Sequence, residues 1–188
     1  MSASAAEALR ALVGTILIVA AAAKLWHGGT LVAFLEAAGV PTVAALHINR
    51  LAPWFEASIG LALLGGIAVV PGLAVATLLA AAFVVLHARV IVAGVSVPCR
   101  CFGALDRDQS RLAGFARSVA LFGVSCAALA LELAGPAQGA VPSGEALFLG
   151  ALSAVGFITA FGLLSAVENF VEARNRLLRI AGRPELGR

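Results

Sequence analysis

Residues 57–86, ASIGLALLGGIAVVPGLAVATLLAAAFVVL, form an uncharged run of 30 residues that decides the architecture of this chain. As a single α-helix the run would be about 45 Å long, because an α-helix rises about 1.5 Å per residue. The hydrocarbon core of a bilayer is only about 30 Å thick. Pro71-Gly72 lies near the middle of the run, and this dipeptide is a strong turn signal. We therefore predict two membrane spans, 51–70 and 73–92, joined by a tight hairpin.

The composition of the whole chain indicates a membrane protein. Only 12% of the 188 residues are charged, whereas roughly a quarter are charged in soluble domains. Further apolar stretches predict three more spans, at 8–25, 112–133 and 146–167. Arg10 and Lys24 bracket the first of these, and we expect their long side chains to reach the membrane interface. The predicted fold is an all-α bundle of about five transmembrane helices within residues 1–167.

Residues 30–48 are apolar enough to suggest a sixth span, but two features oppose it. Glu36 would lie in its interior, and Gly39-Val40-Pro41 would break the helix. We predict short amphipathic helices at the membrane interface instead. The N-terminal segment also fits a secretory signal peptide, but Glu7 offsets Arg10 there and several spans follow, so we predict a retained helix.

The basic residues are divided unequally between the two sides of the predicted bundle. With five spans, 12 of the 13 lysines and arginines lie on the side that holds the loop at 93–111 and the tail at 168–188, and Arg10 alone lies on the other. Because cytoplasmic loops carry the excess of positive charge, we predict a multi-pass inner-membrane protein with a basic cytoplasmic C-terminal tail. The basic residues are scattered over short loops and one tail, so the lipid bilayer is a predicted partner and nucleic acid is not.

Two charges lie near one face of the predicted hairpin. A turn at Pro71-Gly72 would bring Glu56 and Arg89 to a similar depth, with His87 close by. Charged side chains at that depth are costly unless they are paired or face a polar cavity. One hypothesis is a Glu56–Arg89 ion pair, and the alternative is that both side chains reach the headgroup layer.

The segment VPCRCFG, residues 97–103, carries two of the three cysteines. Cys99 and Cys101 are so close in sequence that their Cα atoms can lie about 5 to 7 Å apart, which permits a strained disulfide. Strained, exposed disulfides exchange readily, and Arg100 between the two thiols would favour the reactive thiolate. The spacing and the charge therefore predict thiol–disulfide exchange, with Cys99, Cys101 and Arg100 as the catalytic residues.

Two other interpretations of the cysteine pair stay open. With His87 and a further ligand the pair could bind a soft metal such as copper(I) or zinc, although the flanking arginines oppose the collection of cations. Alternatively, the cysteines are incidental and the protein is a non-catalytic membrane scaffold subunit. Cys126 lies roughly 20 Å from the loop by helical rise, so we predict a packing role for it. We predict no cofactor and no resident metal.

Four motifs are spread over most of the chain: AAAKL (21–25), PWFEASIGLALLGG (53–66), PCRCFG (98–103) and GFARSVAL (114–121). Together they resemble the MauE (methylamine utilisation) family, within the broader DoxX-like group of small membrane proteins. The resemblance covers about residues 10 to 135, and the cysteine motif is its most specific part. The family pattern more often has glycine at the position of Arg100 and asparagine at that of Ser118.

The resemblance implies a function in the maturation of an exported redox protein. MauE-type proteins are associated with processing of the disulfide-rich small subunit of methylamine dehydrogenase, beside a thioredoxin-like partner. Carried over by position, Cys99 and Cys101 would be the redox pair. The other polar family-like positions have no assigned role; they are Lys24, Glu56, His87, Arg89 and Arg117. A cysteine pair on the cytoplasmic side would rest mostly as the dithiol, which would suit a relay of reducing equivalents to an exported client.

Overall fold

The computed structural model describes residues 3–26, 31–95 and 111–134, together with the single positions 144 and 152. Throughout the described ranges the regular structure is α-helical, which confirms the predicted fold class. The helices are α1 (Ala3–Trp26), α2 (Val32–Ala37), α3 (Thr42–Leu64), α4 (Val69–Val92) and α5 (Arg111–Ala134). The predicted span 146–167, apart from position 152, lies outside the described residues, as do the tail 168–188 and the cysteine segment 97–103.

Three of the described helices are long and apolar enough to cross a membrane: Ala5–Trp26 in α1, Val69–Val92 in α4 and Leu112–Ala134 in α5. They occupy the regions where the sequence predicts the first, third and fourth spans. α1 packs against both α3 and α5, and α4 packs most extensively against α5. A chain with several helices of this length and composition is a multi-pass membrane protein.

The turn between α3 and α4 lies at residues 65–68, several residues before the Pro71-Gly72 turn that the sequence predicts. Gly66 ends α3 with a φ of 69°, the left-handed conformation that glycine adopts without strain. The N–H groups of Gly66 and its successor donate back to carbonyls of the last turn of α3. Pro71 falls in the first turn of α4, where its missing N–H costs no helical hydrogen bond. The predicted turn position is therefore corrected, while the hairpin itself is present.

The segment predicted as interfacial helices contains α2, a break and the beginning of α3. Gly39, with a φ of 88°, ends α2, and α3 begins soon afterwards at Thr42. α3 then continues without interruption into the span predicted at 51–70. α2 is packed into the bundle, because Phe34 and Leu35 are buried against α3 and α4.

α1 and α3 approach each other closely through facing glycines. A Cβ atom on Gly60 would lie 2.8 Å from the Gly14 carbonyl oxygen and 2.8 Å from Ile18 Cγ1. Small residues at helix contacts let the backbones pack closely within membranes. The apolar core continues from this contact toward α4 through Val13, Leu17, Ile59, Leu63 and Leu73.

Gly60→Ala is expected to destabilise the protein by about 1–3 kcal/mol, because the added methyl group would overlap α1 and force the helices apart. Gly123→Ala is a matched control, since Gly123 is an exposed helical glycine whose added Cβ meets no atom within 4 Å. The midpoints of thermal unfolding should be compared in the same lipid. Equal midpoints for Gly60→Ala and the wild type would contradict the close α1–α3 contact.

Candidate functional site

Five polar side chains are buried together toward the end of the bundle from which α4 and α5 lead to the cysteine segment. They are Lys24, Glu56, His87, Arg117 and Ser118, and each is 7% exposed or less. Because α1, α3, α4 and α5 all contribute, these residues lie where four helices meet. Polar and ionisable side chains inside membrane helices are costly, and they indicate a functional site by default. We refer to these five residues as the polar cluster.

Lys24 and Glu56 form the ion pair of the polar cluster. Lys24 Nζ lies 2.5 Å from both carboxylate oxygens of Glu56. The ammonium group also lies 5.6 Å from the centre of the Phe83 ring, within range of a cation–π interaction. Lys24 is thus buried and paired, so the expectation that its side chain reaches the membrane interface is wrong.

Glu56 pairs with Lys24 and not with Arg89, which is exposed. The position of the turn explains the difference. With the turn at 65–68, Glu56 precedes it by about nine residues and Arg89 follows it by about 21, so the two residues are not level with each other along the hairpin. The predicted Glu56–Arg89 pair is therefore wrong, and Glu56 does not reach the headgroup layer either, because it is buried.

A second buried ion pair joins α1 to α5 toward the opposite end of the bundle. Arg10 Nη1 lies 3.4 Å from Glu132 Oε1, and the side chains are 1% and 4% exposed. The sequence predicts that Arg10 reaches the interface, but the structure buries it. A signal for the pair was available, since the five-span topology puts these two opposite charges near the same membrane face.

His87 links the polar cluster to α2 and α5. Its Nδ1 lies 2.9 Å from the Phe83 carbonyl oxygen and 3.2 Å from Ser118 Oγ. Because a carbonyl oxygen can only accept a hydrogen bond, the hydrogen on His87 Nδ1 is directed at the Phe83 carbonyl. The Ser118 hydroxyl donates to the Gly114 carbonyl oxygen, at 3.1 Å. The imidazole also packs against the ring of Phe34 in α2, with the ring centres 4.7 Å apart. Ser118 is a site residue that the sequence does not single out, except as a departure from the family pattern.

A small recess lies beside the ion pair, among α1, α3, α4 and α5. Its polar lining consists of Lys24, Glu56, Arg117 and Ser118, and the remaining walls are mainly apolar. The recess has a volume of about 40 Å³ for the centre of a water molecule, which is room for roughly two or three waters. Most of the polar groups at its edge already have partners, since Lys24 pairs with Glu56 and the Ser118 hydroxyl donates to the Gly114 carbonyl oxygen. The recess is therefore a mainly apolar cavity beside the ion pair.

Residues 99–101, the cysteine pair and the arginine between them, lie outside the described residues. The segment that contains them is attached to the bundle by α4, which ends at Val92, and by α5, which begins at Arg111. His87 on α4 and Ser118 on α5 lie within about two helical turns of those ends. The two helices that hold the cysteine segment thus also supply part of the polar cluster.

The third cysteine and the candidate metal ligands add little to this site. Cys126 is half-buried in α5 and its thiol is free. Across residues 3–26, 31–95 and 111–134, no group of three or more His, Cys, Asp or Glu side chains is arranged to hold a metal ion. The metal site considered from the sequence involves the cysteine pair, which lies beyond these ranges.

The comparisons with known proteins agree with the motifs of the sequence. A family model described as methylamine utilisation protein MauE matches residues 2–132. No curated protein and no solved structure matches the chain. The matched range contains the polar cluster, both buried ion pairs and the cysteine segment, while the wider DoxX-like grouping stays a prediction. Because the match covers more than half of the 188 residues, this chain belongs to the MauE family.

Proposed function

We propose that this protein is a membrane thiol-redox component that assists the maturation of an exported redox protein. Cys99 and Cys101 are the exchanging pair, and Arg100 between them stabilises the thiolate. The observation that carries the proposal is the attachment of this pair to α4 and α5, the helices that supply three of the five residues of the polar cluster. Thiols release and take up protons as they exchange, and a buried cluster of polar groups at that end of the bundle suits such chemistry.

The proposed step is exchange between the Cys99–Cys101 dithiol and a disulfide of the client. One thiolate attacks a sulfur of the client disulfide, which forms a mixed disulfide and releases a client thiolate. The second thiolate then attacks the mixed disulfide, so the client leaves as a dithiol and the pair becomes a disulfide. The reverse sequence inserts a disulfide into the client. A thioredoxin-like partner restores the pair, and family membership makes the small subunit of methylamine dehydrogenase the first client to test.

Cys99→Ser and Cys101→Ser are each expected to lower the amount of correctly matured client by about tenfold or more, because exchange needs both thiols. The readout is the disulfide state of the client, measured by thiol alkylation and gel mobility in cells that carry only the variant. Cys126→Ser is the matched control, since Cys126 lies within α5 and outside the cysteine segment. Normal maturation in both cysteine variants would contradict the redox function and favour the scaffold function instead. Stoichiometric copper or zinc in the purified protein, lost in Cys101→Ser, would favour metal handling.

A further inference from the structure

The outward side of α3 carries a positive charge within an apolar surface. Four exposed residues follow one another at spacings of four, three and four, which places them on one side of the helix; they are Val43, His47, Arg50 and Trp54. The side chains beside this row are large, apolar and exposed as well; they are Leu46, Leu51 and Phe55. We refer to these seven residues as the Arg50 face.

The composition of the Arg50 face indicates contact with lipid. α3 directs its buried side toward the rest of the bundle, where Gly60 contacts α1 and Ala45 packs with α2. The residues that it leaves exposed are mainly large and apolar, since Trp54 is 63% exposed and Leu51 is 62% exposed. In a bundle that crosses a membrane, acyl chains cover an outer surface of this kind. The Arg50 guanidinium group therefore lies against lipid.

Arg50 has no carboxylate to pair with in the part of the chain that the structure describes. α3 contains one acidic residue, Glu56, which is buried and paired with Lys24. A guanidinium group stays charged in proteins, and a charge that faces lipid is costly unless it meets an opposite charge. The negative charge that a lipid offers is the headgroup phosphate, which arginine binds with two parallel hydrogen bonds.

His47 adds a hydrogen-bond acceptor one helical turn from Arg50. Its Nδ1 lies 2.7 Å from the Val43 carbonyl oxygen, so Nδ1 carries the hydrogen and donates it to that oxygen. In the neutral imidazole the other ring nitrogen, Nε2, is then an acceptor. A ligand that suits both side chains carries a phosphate for Arg50 and a hydroxyl group for His47 Nε2.

We propose that the Arg50 face binds an anionic phospholipid whose headgroup carries a hydroxyl group, as in phosphatidylglycerol. Arg50 donates hydrogen bonds to the phosphate, His47 Nε2 accepts one from the headgroup hydroxyl, and Trp54 contacts an acyl chain. A phospholipid supplies the charge and the apolar cover in one molecule, whereas an acidic protein segment supplies mainly the charge. The site is independent of the proposed thiol function, because none of its residues belongs to the polar cluster or to the cysteine segment.

Tryptophan fluorescence reports directly on this site, because the sequence contains two tryptophans and no tyrosine. In a Trp26→Phe background the remaining tryptophan is Trp54, one helical turn from Arg50. The full-length protein is placed in bilayers with brominated phosphatidylglycerol or brominated phosphatidylcholine, whose bromine atoms quench a tryptophan that they contact. We expect phosphatidylglycerol to occupy the site about fivefold more strongly than phosphatidylcholine, because each arginine near an anionic headgroup adds an attraction of that size.

Arg50→Gln is expected to abolish this fivefold preference, because glutamine carries no charge for the phosphate. Arg89→Gln is the matched control and should keep the preference. It also removes an exposed arginine, but the residues one turn away, Val85 and Val92, offer neither an aromatic ring nor a hydrogen bond. Equal quenching by the two lipids in the wild type, or a preference that survives Arg50→Gln, would overturn the proposal. An equal loss in Arg89→Gln would also overturn it, because net charge and not a site would then attract the lipid.

Phosphatidylethanol tests the hydroxyl group, because it has the same phosphodiester charge and no headgroup hydroxyl. We expect the wild type to bind brominated phosphatidylglycerol about threefold more strongly than brominated phosphatidylethanol, and His47→Phe to remove this difference. Equal binding of the two anionic lipids by the wild type would overturn the assignment of the headgroup. Arg50→Gln and His47→Phe change exposed side chains, so in phosphatidylcholine alone both should unfold at the wild-type midpoint. If Arg50→Gln does not fold, the comparison of the two anionic lipids in the wild type decides.

Discussion

Glu56→Leu is expected to lower the stability of the protein by about 3–5 kcal/mol, because it leaves a buried ammonium without its counter-charge. Glu56 accepts hydrogen bonds from Lys24 at both carboxylate oxygens, and both side chains are almost completely buried. A loss of this size is a large part of the total stability of most proteins. We therefore expect little folded Glu56→Leu protein in the membrane, measured by size-exclusion chromatography and by the midpoint of thermal unfolding.

The double variant Lys24→Met with Glu56→Leu should recover most of that loss. Replacing both members of a buried ion pair by apolar side chains of similar volume is often neutral or stabilising. Glu36→Leu is the matched control for the single change, because Glu36 is an exposed glutamate on α2 and its replacement removes no buried charge. A double variant no more stable than Glu56→Leu alone would contradict the view that the unpaired charge causes the damage.

Arg10→Met is expected to give the second large loss, also about 3–5 kcal/mol, because it leaves the Glu132 carboxylate buried without its cation. The contact of 3.4 Å is longer than the two contacts of the Lys24–Glu56 pair, so we expect a value at the lower end of that range. Arg50→Met, at an exposed position in α3, is the matched control. Thermal unfolding in the same lipid measures both, and wild-type stability in Arg10→Met would contradict a buried Arg10–Glu132 pair.

The two double variants should differ in function even if both fold. Arg10→Met with Glu132→Leu removes an ion pair toward the far end of the bundle, and we expect the folded protein to support client maturation. Lys24→Met with Glu56→Leu removes the ion pair of the polar cluster, and we expect it to lower client maturation. One ion pair would then be needed for folding alone, and the other for folding and chemistry.

The sequence alone predicts the broad architecture because the bilayer imposes a length on each apolar segment. The helices at Ala3–Trp26, Val69–Val92 and Arg111–Ala134 lie where mainly apolar runs of about 20 residues indicate spans. The break before Thr42 was likewise predictable, since proline and glycine interrupt helices locally. The family too was accessible from the sequence, because the motif around Cys99 and Cys101 is a local pattern.

The partners of the buried charges were not predictable in the same way. An uncharged run of 30 residues shows that a turn is required, but Gly66 and Pro71 are both acceptable places for it. Each residue by which the turn shifts moves the following helix by about 1.5 Å in depth. The shift from Pro71-Gly72 to 65–68 was therefore enough to separate Glu56 from Arg89.

The polar cluster itself is a product of the tertiary structure. Its residues come from four helices and include Lys24, Glu56, His87 and Ser118. No local sequence pattern indicates which helices are neighbours or how far one helix is displaced along another. The close contact of Gly14 with Gly60 and the packing of α4 against α5 set those displacements. The sequence by itself thus determined three candidate membrane spans, the cysteine motif and the family of this protein. Only the tertiary structure decided which charges meet, because pairing depends on distances of a few ångströms between segments far apart in the chain.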